Sequence, residues 1–160
     1  MDVYGSIVVA HVFLVIVAFM AHGYSAFAML GVKREPDRAR VSMLLELSSQ
    51  ALVVAGLTLI VTVILGIIAA VMHGYFGQLW PWLSIVVVVV IWIVMTPLAA
   101  GPMSAVRRVL GLPIRGKIEG EPGTDEELAL ARAKLRPELV GVVGLAGILV
   151  LVWLMEMKPF

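Results

Sequence analysis

The chain has 160 residues, of which 61% are hydrophobic and 14% charged, and its formal net charge is +1. A soluble domain carries about 25% charged residues, so these values and the mean hydropathy of +1.04 exclude an ordinary soluble domain and predict a polytopic membrane protein. There are no cysteines, which excludes disulfides, zinc–thiolate sites and cysteine-ligated iron–sulfur clusters.

The first apolar stretch predicts a helix over about 3–30, and it contains His11 and His22. At about 100° per residue, these two positions fall within about 20° of each other and about 16 Å apart along the axis. Small or apolar residues complete the same stripe, namely Val15, Ala18, Ser25 and Met29. A histidine in hydrocarbon is costly unless it faces the interior of a bundle or a ligand, so this face is the first candidate site.

A second helix is predicted from about Val41, with its membrane span over 46–72. It carries a stripe of small or polar residues suited to packing against a neighbouring helix, formed by Thr58, Thr62, Gly66, Ala69 and His73. A third helix is predicted over 80–100, with tryptophans at its start that are typical of a membrane interface. Pro97 is expected to kink it, and Gly101-Pro102 to end it.

The polar stretch 101–137 separates the third helix from the last one. Thr124 and Glu127 form a capping-box pattern, which predicts a short helix running to about Arg136. The last membrane span is predicted over 138–155, and its glycines recur every third residue at Gly141, Gly144 and Gly147. Such glycines allow another helix to approach closely, so they are candidate contacts for a homodimer.

The basic residues determine the predicted orientation in the membrane. Four lie in the stretch 31–45 and seven in the stretch 101–137, so only Lys158 of the twelve lies elsewhere. The positive-inside rule places both stretches in the cytoplasm and both termini outside. The sequence therefore predicts one all-α domain over 1–160 in the cell (inner) membrane, a four-transmembrane-helix bundle with a short cytoplasmic helix before the last span.

Three interpretations of the histidines remain open. Haem b needs an imidazole on an inward helix face, which His11 and His22 would supply. Copper is bound by imidazole and soft thioethers, and His73, Met72, Met155 and Met157 are predicted near the outer surface. In the third interpretation there is no cofactor, and the histidines only fix helix packing through hydrogen bonds.

Several short motifs resemble those of a bacterial four-helix integral membrane family of unassigned function. They are His11 early in the first helix, His22-Gly23 at its middle, Arg107-Arg108 after the third helix and Trp153-Leu154-Met155-x-x-Lys158-Pro159 at the end. The pattern is also distantly similar to the membrane domain of copper-resistance D proteins and to haem-binding four-helix protoporphyrinogen oxidases. In the oxidases a first-helix histidine ligates haem, so the resemblance implies that role for His11.

No nucleophile–base pair, phosphate-binding glycine loop or nucleic-acid motif occurs in the sequence, so an enzyme is disfavoured and nucleic acid is not an expected partner. The lipid bilayer is the expected environment, with a homodimer or a larger membrane complex as further partners. We therefore expect a membrane protein that binds haem or a metal ion at the histidine face for redox or metal handling. The alternative is a structural or accessory subunit of a larger membrane complex.

Overall fold

The computed structural model describes residues 2–114, 116–118 and 121–159. These residues form helices and turns without a strand. The helices are α1 (Val3–Arg34), α2 (Arg38–Met72), α3 (Trp80–Met95), α4 (Gly101–Val109), α5 (Asp125–Ala133) and α6 (Pro137–Met157). A 3-10 turn, Tyr75–Gly77, leads into α3, and a π-helical turn, Thr96–Ala100, joins α3 to α4.

Four helical runs within the described residues are long and apolar enough to cross a membrane. They are Val3–Arg34, Arg38–Met72, Trp80–Val109 and Asp125–Met157. Large apolar side chains such as Phe13, Phe27 and Trp92 are exposed on their outer faces, which is compatible with contact to lipid. The prediction of an all-helical chain with four long apolar helices is confirmed. α1 packs closely along α2 and also contacts α6, and α3 packs against α6.

The turn between α1 and α2 is shorter than the predicted loop 31–40 between the first two helices. α1 continues to Arg34 and α2 begins at Arg38, so only three residues around Pro36 separate the two helices. The side chain of Asp37 caps α2 by accepting a hydrogen bond from the backbone N–H of Arg40. Such a cap satisfies one of the free N–H groups of the first turn, which favours an early start of α2.

The prediction that Gly101-Pro102 ends the third helix is wrong. The backbone N–H of Gly101 bonds to the carbonyl of Thr96, as in a π-helix, and α4 then continues to Val109. Proline cannot donate the normal helical hydrogen bond and crowds the preceding turn. The wider π turn accommodates this disruption, and Pro102 lies in the first turn of α4, where the missing N–H costs little.

The capping box predicted before the last span is present. Thr124 Oγ1 accepts from the backbone N–H of Glu127, and the Glu127 carboxylate accepts from the backbone N–H of Thr124. The helix that follows, α5, ends at Ala133 rather than at Arg136. Its location on the cytoplasmic side stays a prediction.

A well-packed apolar cluster, which we call the basic-end core, joins the end of α1, the start of α2, α4, α5 and the start of α6. Its members are Met29, Val32, Val41, Leu45, Met103, Val106, Leu128, Ala131, Leu135 and Val140.

Arg107 forms hydrogen bonds and an ion pair with neighbouring segments at the surface of the basic-end core. Its side chain is only 14% exposed, and it donates to the backbone oxygen of Pro113 and to Ser49 Oγ at 2.9 and 2.8 Å. It also forms an ion pair with Glu46 at 3.3 Å. Arg38 similarly pairs with Asp125 at 2.7 Å, so the start of α5 is joined to the start of α2.

The opposite end of the bundle is closed by an aromatic cluster. Tyr4 stacks on His73 with ring centroids 4.0 Å apart, and Tyr75 contacts both His73 and Trp80. The ammonium of Lys158 lies 4.8 Å from the centre of the Tyr75 ring, within the range of a cation–π contact. The start of α1, the end of α2, the start of α3 and the segment after α6 therefore meet at this end.

Candidate functional site

His11 lies on the face of α1 that packs against α2, and a hydrogen bond fixes its ring. Its Nδ1 lies 2.9 Å from the backbone oxygen of Thr62. A carbonyl oxygen can only accept, so Nδ1 carries the hydrogen and donates it. In a neutral imidazole this leaves a lone pair on Nε2, and metal-ligating histidines are commonly oriented in this way.

The His11 ring lies directly over Gly66 of α2. A Cβ atom at this position would lie 2.9 Å from Cε1 and 3.2 Å from Nδ1 of His11, closer than the usual 3.5–4.0 Å for van der Waals contact. The glycine therefore gives the imidazole the space it needs between the two helices. Thr62, on the same predicted stripe, is buried, so this part of the stripe does face a neighbouring helix.

His22 contacts a different helix, α6. A Cβ atom at Gly144 would lie 2.6 Å from His22 Nε2, 3.1 Å from its Cδ2 and 3.5 Å from Cε of Met95. Nε2 of His22 is buried and has no hydrogen-bond partner in the part of the chain that the structure describes. A metal ion must approach an imidazole nitrogen to about 2.0–2.1 Å, and the backbone of Gly144 lies on that side of the ring. The packing of α1 against α6 therefore leaves no room for a ligand atom at Nε2 of His22.

The structure thus divides the predicted histidine face between two neighbours. α1 contacts both α2 and α6, and helices cross at an angle, so one face of a long helix meets different partners along its length. His11 packs over Gly66 and His22 over Gly144. Each imidazole ring occupies the space that the missing side chain of a glycine leaves. The spacing of the histidines alone did not indicate these contacts.

A buried polar pair lies on the same side of α1, and the sequence analysis missed it. The hydroxyl oxygens of Ser25 and Ser48 are 2.8 Å apart and form a hydrogen bond between α1 and α2. Ser25 belongs to the predicted stripe of the first helix, but Ser48 lies outside the predicted stripe of the second. The signal that could have found the pair is the presence of a small hydroxyl residue on each of two adjacent apolar helices.

The residues predicted to bind copper lie at or near the aromatic end. His73 is exposed, and its ring stacks on Tyr4 and contacts Tyr75. Met72 and Met157 are exposed, and Met155 is partly buried. Met72 directly precedes His73, and Met157 directly precedes Lys158, so both residues flank the aromatic cluster. The structure places these residues at one end of the bundle, and their role as copper ligands stays a prediction.

No group of three or more histidine, aspartate or glutamate side chains that could hold a metal ion occurs within 2–114, 116–118 and 121–159. Two open surface depressions in that part of the chain, one where α1 meets α5 and one on α1, are lined by no histidine. The larger one, about 450 Å³, lies on the apolar surface of α1 around Gly23 and Tyr24. His11 and His22 therefore belong to no such group, and their role as ligands of haem or a metal stays a prediction.

Comparisons with known protein families, with curated proteins and with solved structures gave no match. The resemblance to the copper-resistance and haem-binding oxidase families therefore stays a prediction.

Proposed function

We propose that this chain is a non-enzymatic polytopic membrane protein that presents His11 as the ligand of haem b or of a metal ion, for redox or metal handling. The observation that supports this role is the hydrogen bond from Nδ1 of His11 to the backbone oxygen of Thr62. It fixes the ring between two helices and leaves the Nε2 lone pair for coordination.

The two histidines differ in how well they suit such a ligand. Among the described residues, the buried side-chain polar atoms without a partner include Nε2 of His22 but not Nε2 of His11. The coordinating nitrogen of His11 is therefore not sealed by protein, whereas that of His22 is. A haem bound at His11 would supply one-electron redox chemistry, and copper would supply a one-electron couple of its own.

The proposed placement is in the cell (inner) membrane with both termini outside. It is supported by the gathering of basic side chains at one end, where Lys33, Arg38, Arg107 and Arg132 all contact residues around the basic-end core. Arg115, which the sequence analysis counts with them, lies outside the described residues. Because the chain has no cysteine, single cysteines at Gly77 and Glu126, both exposed, can be labelled from either side of the membrane to test this. Labelling of Gly77→Cys from the cytoplasmic side would contradict the placement.

A second candidate function is a structural or accessory subunit of a larger membrane complex. It is supported by the packing of both imidazole rings over glycines of neighbouring helices. In this function the histidines hold α1 in place and bind no cofactor. A homodimer would be one such complex, but Gly144 and Gly147 contact His22 and Ile91 of the same chain, so its interface would lie elsewhere.

An absorption spectrum of the purified protein, oxidised and dithionite-reduced, separates the two candidates when elemental analysis is made on the same sample. His11→Asn is the sharpest variant, because the asparagine amide can still donate to Thr62 O from the position of Nδ1 but has no nitrogen at the position of Nε2. His22→Asn is its matched control.

A Soret band or stoichiometric copper in the wild type and in His22→Asn, lost in His11→Asn, is the expected result. A haem or metal that persists in His11→Asn would contradict His11 as its ligand. A colourless and metal-free wild type, expressed with haem precursor and copper supplied, would overturn the proposal in favour of the accessory subunit.

A further inference from the structure

A depression of about 310 Å³ lies where the end of α1 meets α5. It is lined by Lys33, Ala129, Arg132 and Ala133. The two alanines are exposed and leave space between the two cationic side chains. The histidines take no part in this depression, so its role is independent of any cofactor at His11.

The charges around the depression are only partly neutralised. Lys33 Nζ lies 3.3 Å from the Glu138 carboxylate, whose side chain is itself 64% exposed. Arg132 donates from Nη2 to the backbone oxygen of Lys33 at 3.2 Å, and its buried Nε has no hydrogen-bond partner among the described residues. A guanidinium has five N–H donors, and the bond to a neutral carbonyl leaves its charge uncompensated. Two cations therefore face one solvated carboxylate, which suits a singly charged anion.

The depth of the depression matches that of lipid phosphates, given the proposed membrane placement. Tyr4 belongs to the aromatic cluster, which is typical of one membrane interface. At a rise of about 1.5 Å per residue, the helical path from Tyr4 to Lys33 is about 44 Å. A bilayer including its headgroups is about 40–45 Å thick, so Lys33 reaches the headgroup region of the opposite leaflet.

We propose that this depression binds the phosphate headgroup of an anionic lipid, with Lys33 and Arg132 as its cationic contacts. Basic pockets beside membrane helices bind anionic headgroups in this way. The phosphate lies near the guanidinium of Arg132, and the acyl chains lie along the exposed apolar surface of α1. This inference uses the proposed membrane placement but not the proposed ligand of His11, so either can fail alone.

Ala133 offers the cleanest test, because the side chain is small, exposed and lines the depression. Ala133→Glu introduces a carboxylate that repels phosphate and removes no contact of the native fold. Ala133→Gln has nearly the same size without the charge and is the matched control. Arg132→Gln and Arg40→Gln form a second pair, since Arg40 is 71% exposed and does not line the depression.

The measurement is native mass spectrometry of the detergent-purified protein titrated with phosphatidylglycerol, phosphatidylcholine or inorganic phosphate. We expect the wild type, Ala133→Gln and Arg40→Gln to retain phosphatidylglycerol in preference to phosphatidylcholine. We expect Ala133→Glu and Arg132→Gln to weaken phosphatidylglycerol binding about fivefold, the effect of one charge near a membrane surface.

Equal binding of phosphatidylglycerol by Ala133→Glu and Ala133→Gln would overturn the proposal. Equal retention of the two lipids by the wild type would do the same. Displacement of phosphatidylglycerol by inorganic phosphate at the same concentration would show a free-anion site and would overturn the assignment to lipid.

Discussion

Gly144→Ala probes the contact between α1 and α6 through His22. The new Cβ would lie 2.6 Å from His22 Nε2, about 0.8 Å short of the 3.4 Å at which ordinary contact begins. Either the imidazole must shift or α6 must move away from α1. Overpacking of this kind costs about 1–3 kcal/mol, whereas replacing a helical glycine by alanine gains about 0.5–1 kcal/mol. We therefore expect Gly144→Ala to lower the free energy of unfolding by about 1 kcal/mol.

Gly141→Ala is the matched control, because no atom lies within 4 Å of the position that its Cβ would occupy. It makes the same chemical change one turn earlier in α6 and should show only the gain in helix propensity. The difference between the two variants isolates the steric effect, about 2 kcal/mol. The assay is equilibrium unfolding in mixed detergent micelles, followed by circular dichroism.

The double variant His22→Ala/Gly144→Ala completes the test. Without the imidazole, the new methyl group keeps only its ordinary contact with Met95 Cε at 3.5 Å, so the two substitutions should be less damaging together than the sum of their single effects. A coupling of about 1 kcal/mol or more is expected for residues in direct contact. Equal stability of Gly144→Ala and Gly141→Ala, or strict additivity with His22→Ala, would refute the packing of His22 over Gly144.

Three further predictions concern other contacts of the fold. Gly66→Ala should lower the free energy of unfolding by about 1 kcal/mol, because the new methyl group crowds His11. Its control is Gly56→Ala, whose Cβ would meet no described residue of another helix within 4 Å and should not lower that free energy. Equal stabilities of the two variants in the same unfolding assay would contradict the His11–Gly66 contact. Arg107→Lys should lower the free energy of unfolding by about 1–3 kcal/mol, because an ammonium cannot make all the hydrogen bonds that the guanidinium makes to Pro113 O, Ser49 and Glu46. An unchanged unfolding midpoint would contradict this prediction. Thr124→Ala should lower the local stability of α5 by about 1 kcal/mol. Amide hydrogen exchange should then become faster in α5 and stay unchanged in α2. Unaltered exchange in α5 would contradict the capping box.

Local chemistry was enough to predict much of the fold. The long apolar runs and the interruption around Pro36 predict separate helices, because a helix in lipid satisfies its backbone within one segment. The pair Thr124 and Glu127 predicts the start of α5. This too is a local signal, because a capping box involves residues only three positions apart. The helix break expected at Gly101-Pro102 failed, because a π turn can absorb proline within a continuing helix.

The candidate site was only partly predictable. The spacing of His11 and His22 gives their common direction on an isolated helix, and it supports both as candidates. It does not indicate that His11 donates to Thr62 O or that His22 is sealed over Gly144. Those contacts join residues far apart in the chain, so they depend on which helices become neighbours.

The sequence by itself determined that this protein is built from four long apolar helices, with its basic residues gathered in two stretches. Those properties come from composition and from hydrogen bonds within one segment. Only the tertiary structure decided that α1 contacts both α2 and α6, and so that His11 packs over Gly66 and His22 over Gly144. The physical reason is that Gly66 and Gly144 have no side chain, which allows neighbouring helices to approach closely. The missing side chain has an effect only once another helix lies against it.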